Sequence, residues 1–180
     1  LILLIIGTLF SQGNFQILNI PSNARLLALS NAGQTMDDLS NSINPAAISF
    51  NNKNINFHSH IYPAGIIYAK SGITIPLGKY IYSFEYANLN YGEFKDGNSN
   101  YSFNSSEFLF KNSIKTHMLN KISIGGSLSY AINKISNQFS HAILISLGLR
   151  TQMNNPHLGF GISVNNIGKI VKNFDDLEEP

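Results

Sequence analysis

Only a handful of residues in this chain have the type and spacing that chemistry needs. His58 and His60 flank Ser59 and share one face of an extended segment, so two imidazoles could be offered to one metal ion. No carboxylate or third ligand follows at a useful spacing, and the pair reads instead as polar residues of a wet face or rim. Asp37-Asp38 has the look of paired carboxylates for acid–base work, but neighbours in a turn cap backbone groups and face water. Asp175-Asp176 with Glu178-Glu179 makes an acidic run in a loop, where calcium is the one ligand to weigh against plain solvation. Serines are abundant, yet no Gly-x-Ser-x-Gly elbow presents one as a nucleophile. No glycine-rich loop could cradle a phosphate, and there is no cysteine to act as nucleophile or thiolate ligand. These residues predict no catalytic centre, no metal and no cofactor; the chain is read as not an enzyme.

The composition narrows the kinds of element that hold such residues. Charged residues make up 12% of the 180, about half the share common in soluble domains. Asn, Ser and Gly fill the deficit, and the aromatics are Phe (12) and Tyr (8), with no Trp. A disordered chain would hold less Ile and Phe and more net charge. A helical membrane protein needs runs of about 20 apolar residues, and the sequence has none. A net charge of +2 from scattered Lys and Arg does not make a nucleic-acid footprint. A β-rich chain in a charge-poor setting remains.

Leu1 to Phe10 is an apolar run about as long as a signal-peptide core and too short to cross a bilayer as a helix. Ser11-Gln12-Gly13 follows as a small-x-small cleavage site. Residues 1–13 are therefore read as a signal-peptide remnant, with a buried first strand or helix as the alternative. No basic segment or initiating Met precedes them, so the reading frame is expected to start further upstream. Residues 14–50 form a compact, irregular piece. Ala24 to Ala32 is a short helix that Ser22 or Asn23 can cap and Gly33 can end, and Asn41 and Asn44-Pro45 mark turns.

Residues 51–180 hold the strands, and from residue 54 the period is two. Seven segments emerge: Asn54 to Tyr62, Gly65 to Ile75, Tyr80 to Leu89, Glu107 to Met118, Lys121 to Asn133, Ser140 to Thr151 and His157 to Ile167. The second alternates poorly and carries Lys70. Turn signals separate them at Pro63-Ala64-Gly65, Pro76-Leu77-Gly78, Asp96-Gly97-Asn98, Leu119-Asn120 and Asn154-Asn155-Pro156. Their lengths, about 9 to 13 residues, match strands that span a membrane and exceed the 5 or 6 of soluble proteins. In the five that alternate cleanly, Tyr80 to Leu89 and the four after it, one face is aliphatic and aromatic, as in Ile143, Ile145, Leu147 and Leu149. The other is small and polar, and on it fall Glu85, Glu107, Lys111, Lys115 and Arg150. A face turned to bulk water would carry long charged side chains throughout. Ser and Gly suit a confined, hydrated lumen, and Gly125-Gly126 leaves room for a bend or for close packing against a plug. The expected fold is all-β: an antiparallel transmembrane β-barrel with a short helical hatch, its apolar faces on lipid. A soluble exported β-sandwich, with those faces as its core, is the alternative.

The stretch Phe15-Gln16-Ile17-Leu18-Asn19-Ile20-Pro21-Ser22-Asn23-Ala24-Arg25, then Ala28-Leu29 and Asn44-Pro45-Ala46, resembles the start of the PorV/PorQ family of outer-membrane barrels, relatives of the FadL fatty-acid transporters. Tyr91-Gly92-Glu93-Phe94, the Gly97 turn, Asn165-Asn166-Ile167-Gly168 and Leu177-Glu178-Glu179-Pro180 are similar to later landmarks, closest to PorQ. Leu29-Ser30-Asn31 departs from the Leu-Gly-Gly-like turn usual there. The resemblance implies a FadL-like barrel of about fourteen strands, of which this chain is a fragment comprising about half. It also implies residence in the outer membrane of a Gram-negative bacterium and a role in type IX protein secretion and cell-surface attachment. The partners would be the lipid bilayer and other type IX components, with no nucleic acid. Asn44, Pro45 and Ala46 would fall in the hatch and help seal or gate the lumen. Their local chemistry alone allows a plain rigid turn leading to the first strand. A FadL-like channel for hydrophobic small molecules is the other functional reading, and it calls for a continuous apolar pocket beside the hatch.

Overall fold

The computed structural model describes residues 15–30, 35, 43–49, 53–95, 102–119, 121–152 and 159–174. Seven strands follow in chain order: β1 (Asn54–Ile61), β2 (Ile67–Leu77), β3 (Tyr80–Lys95), β4 (Ser102–Leu119), β5 (Ile122–Ile135), β6 (Gln138–Gln152) and β7 (Gly159–Lys172). Each pairs antiparallel with the next in one sheet of order β1-β2-β3-β4-β5-β6-β7. Among the described residues β1 and β7 do not pair with each other, so the sheet is open.

All seven expected segments are strands, with shifted ends. Pro63–Gly65 is a 3₁₀ turn in which Ala64 and Gly65 take φ of 65° and 76°, so β2 starts only at Ile67. Pro76 and Leu77, expected in a turn, pair with Ile81 and Tyr80; Gly78, with φ of 62°, and Lys79 make the turn. The two-residue turn Ser136-Asn137 carried no Gly or Pro signal, and the strands on either side run up to it. The turns expected at residues 96–98 and 154–156 lie outside the described residues, as do residues 1–13, Gly33, Asp37-Asp38 and the acidic run at 175–179.

β3 outruns its sequence pattern because of a bulge. Tyr91 is an extra residue between the pairs Asn90↔Ser106 and Gly92↔Ser105, Gly92 takes φ of 82°, and the Gly92 N–H donates to the Asn90 side chain at 2.8 Å. One added residue reverses the facing of everything after it, so the inward run Glu85, Ala87, Leu89, Tyr91 breaks off there while the strand continues. β7 carries a second bulge. Asn165 and Asn166 together oppose Ser146, Asn166 sits at φ 58°, and its N–H donates to Ser146 Oγ at 3.1 Å. Ile162 and Val164 before the bulge and Ile167 after it are all exposed, so the bulge keeps the apolar residues on one side of the sheet.

The distribution of burial is inverted relative to a soluble sheet. Glu107 is 1% exposed and Lys115 2%, whereas Leu147 is 61%, Ile162 59% and Phe57 76% exposed. The buried face holds Ser83, Glu85, Lys111, Ser113, Ser127, Ser129 and Ser146. Nothing among the described residues packs on the aliphatic face.

What covers the polar face is the N-terminal segment. Its 3₁₀ turn Gln16–Leu18 drives Phe15 against Ala131, Ala142 and Leu144, and Ile17 against Tyr68, Ala87 and Leu89. Burying each such side chain stabilises by roughly 1.5–3 kcal/mol, and these contacts form two apolar clusters. Helix Ala24–Ala28 follows, a turn shorter than expected. Asn23 caps it by accepting from the Leu26 N–H at 2.8 Å, and it ends where Ser30 adopts φ of 51°. A second 3₁₀ turn, Pro45–Ala47, lies on β4, β5 and β6.

Candidate functional site

The inner face and the segment lying on it form the candidate site, held by two grips. At the first, the Ile17 N–H donates to Glu107 Oε2 at 2.8 Å, and the Tyr91 hydroxyl donates to Glu107 Oε1 at 2.6 Å. Tyr91 continues the inward run of Glu85, Ala87 and Leu89, so its hydroxyl falls on the same face as Glu107. Both carboxylate oxygens are thus occupied, which is the condition for keeping a carboxylate out of water.

The second grip is built on Asn44-Pro45-Ala46, all three buried. The Asn44 side-chain carbonyl accepts from the Ala46 N–H at 2.9 Å, and its amide donates to the Leu149 carbonyl at 3.2 Å. Pro45 has no N–H to satisfy and its ring fixes the turn. The Lys115 ammonium donates to the Ile48 carbonyl at 2.5 Å, and Ser163 Oγ donates to the Ile43 carbonyl at 3.0 Å. Glycines give the turn its room: a Cβ on Gly125 would overlap the Pro45 carbonyl, and one on Gly148 would overlap the Asn44 side chain. Gly126, its neighbour, points to the other side, where a Cβ would meet Leu147 at 3.6 Å and the Ser146 carbonyl at 3.8 Å, both ordinary contacts. The motif is therefore more than a local turn, because it is bonded to strands about a hundred residues later in the chain.

Between the grips lies an ion cluster. Lys70 pairs with Glu85 at 2.7 Å, and Glu85 is in register with Lys111 on β4. The odd lysine of β2 is thus explained by a diagonal partner across the hairpin. Below the cluster a row of hydroxyls crosses five strands in register: Thr74, Ser83, Ser113, Ser127 and Ser146. Arg150 is half-buried and registers with Ser123 and Gly161; Ser123 Oγ bonds His117 Nδ1 at 3.0 Å. In all, Glu85, Glu107, Lys111, Lys115 and Arg150 lie on one face. The structure separates them into the first grip (Glu107), the ion cluster (Glu85, Lys111), the second grip (Lys115) and the far end (Arg150).

His58 and His60 also share this side of the sheet, at its β1 edge. His60 stacks on Tyr62 with ring centroids 6.3 Å apart and tilts against Tyr68 at 5.6 Å. No group of three potential metal ligands occurs among the described residues. Sequence reasoning did not find the receptor patch for Phe15 and Ile17. Its members, Ala87, Leu89, Ala131, Ala142 and Leu144, lie on the faces that hold the serines, and only the clustering of Ala and Leu there could have signalled it.

No family model, no curated protein and no solved structure matches the chain. The class that the geometry defines is an all-β chain whose antiparallel sheet carries a packed N-terminal segment on a polar face and leaves an aliphatic face bare. No helix among the described residues is long and apolar enough to cross a membrane, which bears on helical spans alone.

Proposed function

We propose that this chain is part of the wall of a plugged outer-membrane β-barrel of the PorV/PorQ type, serving type IX protein secretion and surface attachment. The observation that carries the reading is the inverted burial: ionic and hydroxyl groups inside, aliphatic groups bare. Lipid is the surrounding that makes such a surface stable, and a closed barrel, to which this sheet would contribute part of the wall, is one of two structures that can cross it. The aliphatic surface also has the form of a band. From the row of Phe160 and Ile122 to the row of Tyr86, Phe110, Tyr130 and Ile143 it covers five in-register rows, interrupted by Asn112, which accepts from the Tyr82 hydroxyl, and by Lys169 in the last row. At about 3.4 Å per residue that is roughly 27 Å along the strands, and about 20 Å along the axis of a barrel with strands tilted by ~40°. Beyond it stand Asn88 and His141, then Asn90 and Lys134, as an interface requires.

A soluble sandwich would need a second layer over Leu128, Ile145 and Leu147, each of them exposed. The FadL-like channel needs an apolar lumen beside the plug, and the apolar inner patch is filled by Phe15 and Ile17. The specific secretion role rests on the resemblance of the landmark residues.

The test has two arms. Cells expressing the full reading frame are fractionated, and single cysteines at positions 128, 145 and 147 are challenged with a membrane-impermeant maleimide. Recovery in outer membranes with these sites protected is expected; a soluble protein labelled at all three overturns the barrel. Deleting the gene should then abolish surface display of secreted cargo. Intact secretion with lost fatty-acid import would reverse the functional assignment.

A further inference from the structure

Three consecutive rows at one end of the aliphatic band gather cationic and aromatic side chains on β5, β6 and β7. Tyr130 and Ile143 share a row with Lys169, Ile132 and His141 share the next with Lys172, and Lys134 stands opposite Phe139 in the third. Register partners lie on one side of a sheet, and Tyr130, Ile143 and Phe139 are exposed on the outer face. Lys169 and Lys172 are exposed there too, with Lys134 and His141 half-buried. We propose that Lys134, His141, Lys169 and Lys172 form a docking site for the phosphate headgroup of an anionic membrane lipid, a site that rests on the lipid-facing wall proposed above.

The three rows span about 14 Å along the strands and about 10 Å across them, a patch small enough for its long side chains to converge on one headgroup. Rings hold two of the donors in place. His141 stacks on Tyr130 with centroids 5.8 Å apart and on Phe139 at 6.2 Å, and the Lys134 ammonium lies 5.6 Å from the Phe139 ring centroid. The Tyr130 hydroxyl is 2.8 Å from His141 Nδ1; when it donates there, the Nε2–H is left to donate to a phosphate oxygen. Ser140 Oγ donates to the Lys172 carbonyl at 2.9 Å and so fixes the end of β7 beside β6. Lys169 falls in the last row of the band, where its stem lies along lipid and its ammonium reaches toward the headgroups. The cations need not lack other partners, since an exposed ammonium exchanges water or a carboxylate for a lipid phosphate. Of the described carboxylates, Glu85 and Glu107 turn inward and Glu93 stands on β3, two strands from β5. At the opposite end of the sheet the lysines are dispersed: Lys53 precedes β1, Lys79 is in the β2–β3 turn and Lys121 precedes β5. The clustered donors single out one end of the band, on β5 to β7, for the anionic lipid.

Site-specific photo-crosslinking of the full-length protein, in vesicles of phosphatidylcholine and phosphatidic acid, provides the test. p-Benzoylphenylalanine replaces either Ile143, within the patch, or Leu149, on the same face toward the other end of the band. Mass spectrometry of the adducts should show phosphatidic acid enriched at position 143 about fivefold or more over its share of the vesicle, the preference that even one lysine near an anionic surface gives. Position 149 should show no enrichment. Combining Lys134→Gln, Lys169→Gln and Lys172→Gln should return position 143 to the vesicle composition, while lipid adducts at 149 show that the variant is inserted. Adducts at 143 that follow the vesicle composition, equal enrichment at both positions, or enrichment that survives the triple substitution would each overturn the headgroup site and leave the barrel standing. Lipid adducts at neither position, in a protein recovered apart from the vesicles, would overturn the barrel and the site with it. The comparison of positions 143 and 149 with the lysines intact decides by itself if the triple variant fails to insert.

Discussion

The carboxylate of Glu107, in the middle of β4, accepts a hydrogen bond from the backbone N–H of Ile17 at 2.8 Å across 90 residues of sequence. Through this bond a chain end that could lie anywhere is tied to one point on the sheet. Its partner Tyr91, two residues beyond the Leu89 that registers with Glu107, reaches the same carboxylate from β3. The side chain is therefore best seen as a latch on the N-terminal segment.

Removing the latch should free that segment first. Glu107→Ala deletes two charge-assisted bonds and is expected to lower stability by about 3 kcal/mol, with roughly half that loss for Glu107→Gln, which keeps an acceptor. Limited proteolysis should cut within residues 15–30 of the alanine variant while the strands stay whole. Unchanged resistance there would show that Glu107 does not hold the segment.

The adjacent glycines offer a test of which side of the sheet the N-terminal segment packs on. Gly125→Ala puts a methyl group onto the Pro45 carbonyl and Gly148→Ala puts one onto Asn44, so each should cost about 1–3 kcal/mol as an overpacking change. Gly126→Ala faces the other way and should stay within about 0.5 kcal/mol of the parent. Denaturant midpoints of the three variants decide it, and equal losses at positions 125 and 126 would contradict the packing.

Asn44 has two roles in one side chain, capping the Ala46 N–H and reaching the Leu149 carbonyl. Asn44→Ala should therefore cost about 1–2 kcal/mol, in the range of a lost cap. Asn44→Asp keeps the acceptor for Ala46 but loses the donor to Leu149, and should fall between the two. If the aspartate variant matched the parent, the bond to β6 would contribute nothing.

On the outer face, depth should set the penalty. Leu128→Arg, in the middle of the aliphatic band, should cost about 2–4 kcal/mol in phospholipid vesicles, and Phe139→Arg, in the row of Lys134, only about 0–1. Urea titration of vesicle-embedded protein reads both. Matching small effects at the two positions would mean that this face meets water.

Much of the strand architecture was legible in the residues. A period of two from residue 54 onward, with Ile143, Ile145, Leu147 and Leu149 on one side and Ser146 and Gly148 on the other, fixes strand type and facing, because successive side chains must point to opposite faces. Lys70 and Glu85 became partners only once the β2–β3 turn had set the register, a relation that spacing along the chain does not contain. The bulges at Tyr91 and Asn165-Asn166 hid the ends of β3 and β7, since each inverts the alternation that pattern reading relies on.

Local chemistry thus determined which residues are extended, which face is oily, and that Asn44-Pro45 turns the chain. Tertiary structure alone decided that Ile17 meets Glu107, that the turn seats against Gly125 and Gly148, and that the polar side rather than the aliphatic one is enclosed. The reason is physical. Facing and turn propensity depend on neighbours one to four positions away, whereas burial depends on what a distant part of the chain brings to the surface. Here it is the N-terminal segment that makes an inside of the serine-lined face.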